Sequence, residues 1–182
     1  MRAMMLILMI ICSMLPGVAF SGEAVVPHVW MNFTQDVSGG NAYDGDQAWI
    51  VTEFYITNIS KKSRTVIVSL YRKDGTPIAG FPVVLENGSS AAEQTMTDDH
   101  GQISVEVKGI SQLSIRTRPE YGTNVSGFAT IASKNKHANQ EAHHSSEPAL
   151  VATVVIRGDI TDGFNLWSSY NESQQINGGN PF

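Results

Sequence analysis

Apolar and polar residues alternate with a period of two along almost the whole chain from His28 onward, and no segment sustains a helical period over three turns. Val29, Met31 and Phe33 alternate with His28, Trp30 and Asn32, and Gln47 to Thr57 is a long run of aromatic and β-branched residues. Within Arg64 to Tyr71, Val66, Val68 and Leu70 share one face. Phe81, Val83 and Leu85 form the next strand, between turns at Asp74-Gly75 and Asn87-Gly88. Ile103, Val105 and Val107 alternate with Ser104, Glu106 and Lys108, and Leu113 and Ile115 are set against Ser114, Arg116 and Arg118, so both strands are expected to be half exposed. Gly127 to Ser133 is a small-residue strand. Ala149 to Ile156 has no polar face and is placed centrally, between covered surfaces. Leu166 to Tyr170 adds a last strand.

Eight or nine short strands, separated by turns and without crossover helices, predict an all-β protein. The expected fold is an antiparallel two-sheet β-sandwich, immunoglobulin-like or jelly-roll-like, with a β-barrel as the alternative. Residues 22–170 are read as one domain, and the Asn-, Gln- and Gly-rich residues 171–182 as a C-terminal tail or edge strand. A membrane barrel is not expected, because the strands are short and few show a lipid-facing apolar band.

The stretch Phe54-Tyr55-Ile56-Thr57-Asn58-Ile59-Ser60, followed by Val66 to Tyr71 and then Asp74-Gly75, resembles small bacterial secreted β-sandwich proteins of uncharacterised function. It is also similar to the sandwich of the sensory rhodopsin transducer family. The resemblance covers about a third of the chain and implies the fold only, because a strand, an Asn-initiated turn and a second strand can occur in any sandwich. No binding residue is carried over.

The N-terminus changes the picture from fold to compartment. Arg2, the apolar run Met4 to Met14, the break at Pro16-Gly17 and the small residues around Ala19 and Ser21 make residues 1–21 a cleaved signal peptide. Export to the periplasm or cell exterior, without a permanent membrane span, is therefore expected. The single cysteine, Cys12, falls in that segment, so the mature chain has no thiol for disulfide, metal or nucleophilic chemistry. A formal charge of −5 disfavours nucleic acid as a partner.

Candidate chemistry lies in loops and aromatic residues. Loop 134–147 holds His137, Glu141, His143 and His144, ligand types suited to zinc or another divalent metal, although their spacing matches no strong zinc motif. A merely solvated loop is the competing reading. Asp44-Gly45-Asp46 and Asp159 with Asp162 supply too few carboxylates for calcium by themselves and read as turns, as does Asp98-Asp99-His100-Gly101. Trp30, Trp49, Tyr55 and Trp167 are candidates for a ligand or partner surface that would stack on sugar rings or peptide. The chain contains no Gly-x-Ser-x-Gly elbow, no phosphate-cradling glycine loop and no Ser-x-x-Lys. The leading expectation is a non-enzymatic exported protein for binding or assembly, self-associating or holding a protein or carbohydrate ligand. A metal-binding protein built on the histidine-rich loop is the alternative.

Overall fold

The computed structural model describes residues 23–35, 47–120, 122–135, 149–161 and 166–182. The signal segment, the residues Asp44 and Asp46, and the histidine-rich loop with His137, Glu141, His143 and His144 lie outside the described residues. Among the described residues ten strands are formed: β1 (Glu23–Gln35), β2 (Gln47–Asn58), β3 (Arg64–Arg72), β4 (Pro82–Asn87), β5 (Glu93–Met96), β6 (Gln102–Val107), β7 (Ser111–Thr117), β8 (Thr123–Asn135), β9 (Leu150–Thr161) and β10 (Leu166–Gln175). A single 3-10 turn, Ile176–Gly179, follows. Among the described residues no helix is long and apolar enough to cross a membrane.

All pairings are antiparallel, and the strands join in one continuous sheet that nearly closes into a barrel, in line with the barrel alternative. Strand β2 is the branch point. One edge pairs with β9 along its whole length, and β10 pairs with the far side of β9. The other edge pairs first with β1, at Gln47 to Ile50, and then with β7, at Glu53 to Asn58. One arm of the sheet runs β2-β1-β8-β3-β6 and the other β2-β7-β4-β5. Between them lies a shared core in which Met31, Phe54, Ile56, Val68, Leu70, Leu113, Ile115 and Ile131 are fully buried. The period-two pattern produces this directly, because alternate residues of each strand face the same side.

At the fork, two threonines replace the missing ladder bonds. If both registers continued, Thr52 would face Trp30 on β1 and Thr117 on β7, but the strands diverge there. The Thr52 hydroxyl accepts from the Trp30 N–H and donates to the Trp30 carbonyl, both at 2.9 Å. The Thr117 hydroxyl accepts from the Thr52 N–H at 2.8 Å and donates to the Thr52 carbonyl at 3.2 Å. Each hydroxyl thus satisfies both backbone groups of one residue, which a buried backbone requires. Thr52→Val keeps the shape and strands the Trp30 N–H and C=O. It is expected to cost about 2 kcal/mol, read as a lower urea midpoint at unchanged slope.

Turns form where the strand pattern breaks. The Asp74 carboxylate accepts from the Thr76 N–H (3.0 Å) and hydroxyl (2.7 Å), and the Asp98 carboxylate accepts from the N–H groups of His100 (2.9 Å) and Gln102 (2.7 Å). Asp98 is thereby committed to turn geometry. Past the 3-10 turn the chain returns to the barrel: Ile176 and Phe182 are buried, and the Phe182 N–H and C=O bond the backbone of Leu150 at 2.9 and 3.0 Å. Strand β5 went unpredicted because Glu-Gln-Thr-Met carries no alternating apolar set, and Met96 is 60 % exposed.

Candidate functional site

Along β2, Phe54 and Ile56 enter the core, so Trp49, Val51, Glu53 and Tyr55 line up on the opposite, outer face. Register then assembles a row across five neighbouring strands: Val155 on β9, Glu53 on β2, Arg116 on β7, Val84 on β4 and Gln94 on β5. In the flanking rows, Arg157 of β9 faces Val51, and Phe33 of β1 faces Trp49. Glu53 is only 7 % exposed. Its Oε2 accepts from the Tyr55 hydroxyl at 2.7 Å and lies 3.5 Å from Arg157 Nε. Burial of a carboxylate on a sheet face is tolerable because a cation and a hydroxyl replace its water.

Tyr55 shows the same coupling. Burial first, and then the hydrogen bond and charge of Glu53, raise its pKa above the ordinary tyrosine value, while Arg157 and Arg116 pull the other way. For a group whose pKa is raised on folding, the stabilising contribution is complete below the unfolded value and is lost as pH climbs through the folded one. Tyr170 is raised in the same sense by its hydrogen bond to Glu172, so ultraviolet titration should show both tyrosines ionising later than a free phenol, and Tyr55→Phe should remove one phenol from that late step and leave the other.

The outer face is concave here. An open groove of about 840 Å³ is lined by Phe33, Trp49, Val51 and Val84, with Arg116, Arg118 and Arg157 around them. Val51 and Val84 are buried in its floor, Trp49 is 38 % exposed, and all three arginines reach solvent. A second hollow, bounded by Met96, Pro119 and Glu120, adjoins it and shares Phe33 and Arg118. Of six arginines in the chain, three therefore border one groove.

The chain matches no family model, no curated protein and no solved structure.

Glu53 is already engaged, and the one hydroxyl among the lining residues, that of Thr117, is tied to the Thr52 backbone. Among the described residues no three His, Cys, Asp or Glu side chains converge as metal ligands.

The predicted aromatic surface is divided. Trp49 and Tyr55 share the outer face of β2, and Trp49 lines the groove. Trp30 lies elsewhere: it stacks on His28 at 6.5 Å and meets Tyr170 edge-on at 6.2 Å. Tyr170 is in register with Gly158 and Ile50, the row next to that of Ser169, Asp159 and Trp49, so this contact falls on the opposite face of the sheet. The side chain of Trp167, on β10, is outside the described residues. Sequence reasoning missed Glu53, Arg116, Arg118 and Arg157 as a group. Arg116 and Arg118 were visible as the polar side of one strand, but what gathers them with Arg157 is the order β9-β2-β7, which periodicity does not encode.

Proposed function

We propose that this is a non-enzymatic exported binding protein of the periplasm or cell exterior, with the Trp49 groove as its ligand surface and a saccharide as its ligand. The exposed indole of Trp49, set beside guanidinium groups over a floor of buried valines, carries this reading. A flat aromatic face accepts the C–H face of a sugar ring, and flanking arginines address its oxygens. The volume falls within the range of small-molecule sites, roughly 300–1,000 Å³. Of the three edge strands β5, β6 and β10, two are poor templates for assembly: β5 has four residues, and β10 reads Ser-Ser-Tyr-Asn-Glu-Ser-Gln-Gln over most of its length. We read the two arms as flattened halves of an immunoglobulin-like scaffold, which offers its faces and loops to partners.

The test is tryptophan fluorescence during titration with a panel of neutral and acidic oligosaccharides. Saturable quenching by at least one sugar is expected, lost in Trp49→Ala with the melting temperature lowered by no more than a few degrees. Quenching that survives in Trp49→Ala would place the ligand elsewhere.

A further inference from the structure

The polarity of the groove says more than its aromatic wall. Resting on the saccharide reading above, we infer that the ligand is a carboxylate-bearing saccharide, of the uronic acid class, whose ring packs on Trp49 and whose carboxylates are taken by Arg116 and Arg118.

The first observation is charge. The chain as a whole is acidic, at −5, yet the groove carries three arginines against one carboxylate, Glu53. Arg157 is the partner of Glu53, leaving a surplus of two guanidinium groups, and Glu120 stands only in the adjoining hollow. Arg116 and Arg118 are exposed and occupy alternate positions on one side of the chain, about 7 Å apart along it. That is far enough for each to take its own carboxylate on a chain of acidic residues. A guanidinium presents paired N–H donors that match the two oxygens of a carboxylate.

The second observation is the location. The groove sits on a sheet face, where β2 is hydrogen-bonded on both edges to β9, β1 and β7. Main-chain N–H and C=O groups of β2 are spent in those ladders or, at Thr52, on the Thr117 hydroxyl, so an extended acidic peptide would find no backbone partners there of the kind that strand addition uses. Recognition must run through side chains alone, which suits a rigid ring with few torsions to freeze. Charge complementarity together with the indole wall therefore favours an acidic sugar over an acidic peptide.

Isothermal titration calorimetry of the full mature chain with three probes separates the outcomes: tetragalacturonate, its neutral counterpart galactotetraose, and hexaglutamate. Tetragalacturonate is expected to bind about tenfold or more tighter than the neutral sugar, with a preference that shrinks as salt rises. The double variant R116Q/R118Q should erase that preference, weakening tetragalacturonate at least about tenfold more than galactotetraose. R116K/R118K should retain only part of it, because lysine keeps the charge and loses the fork. Both variants change exposed side chains, and their melting curves should overlay the parent's. Equal binding of both sugars, with Trp49→Ala weakening each, would overturn the acidic preference and leave the saccharide groove standing. Hexaglutamate binding as well as tetragalacturonate, or failure of every probe to bind, would overturn both.

Discussion

Replacing Asn58 with alanine is expected to lower the free energy of unfolding by about 3 kcal/mol. Asn58 is completely buried at the end of β2, and its amide ties three segments together. The Nδ2 group donates toward the carbonyls of Lys62 (2.9 Å), Lys108 (3.1 Å) and Val107 (3.2 Å), and Oδ1 accepts from the Ser60 N–H (3.0 Å) and hydroxyl (2.8 Å). Alanine removes all of these at once and leaves a void and unpaired carbonyls. Asn58→Asp should be worse, at about 4 kcal/mol, because it turns a donor into an acceptor facing three carbonyl oxygens. Urea unfolding of the two variants measures both values. If Asn58→Ala were neutral, the amide would not be what locks the β2–β3 and β6–β7 connections. The same burial and the bonds to Ser60 make Asn58-Ile59-Ser60 the Asn-initiated turn expected from the sequence.

The second large effect is expected at Gly127, where alanine should cost about 3 to 4 kcal/mol or prevent folding. Gly127 sits on β8 between Val29 of β1 and Arg72 of β3, beside an irregularity in β1 between Val26 and Val29. A Cβ there would lie 1.8 Å from the Tyr71 carbonyl oxygen and 2.8 Å from its carbon, so the β3–β8 ladder would have to part. Gly75 is the control, because a Cβ there meets nothing within 4 Å and only its φ of +85° resists substitution. Gly75→Ala should cost about 1 to 2 kcal/mol. Thermal melts of the pair separate steric intrusion from backbone strain, and equal losses would contradict the distinction.

Which parts of the structure could be read in advance follows from what each depends on. Strands with one apolar face, such as β3 with Val66, Val68 and Leu70 or β7 with Leu113 and Ile115, announce themselves because burial acts on alternate residues. The turn at Asp74-Gly75 was readable from a side chain that bonds the local backbone, and the turn at Asn87-Gly88 from a glycine that takes φ +63°. Strand β5 was not, because its place depends on pairing with β4 rather than on its own apolar residues. The fork at Thr52 and Thr117 was also hidden, since a threonine in a strand looks alike whether its hydroxyl meets solvent or a stranded backbone group. The candidate site divides the same way. Trp49 and Tyr55 stood out by residue type, whereas the contribution of Arg116, Arg118 and Arg157 arises only when β7 and β9 flank β2.

Whether the outer face around Trp49 holds the ligand can be read residue by residue from backbone amide and indole NMR shifts during titration with tetragalacturonate. Shifts are expected to concentrate at Phe33, Trp49, Val51, Gln94, Arg116 and Arg118, with the indole N–H of Trp49 among the largest. Shifts gathered instead around His28, Trp30 and Tyr170, or along the edges of β5 and β10, would contradict that placement.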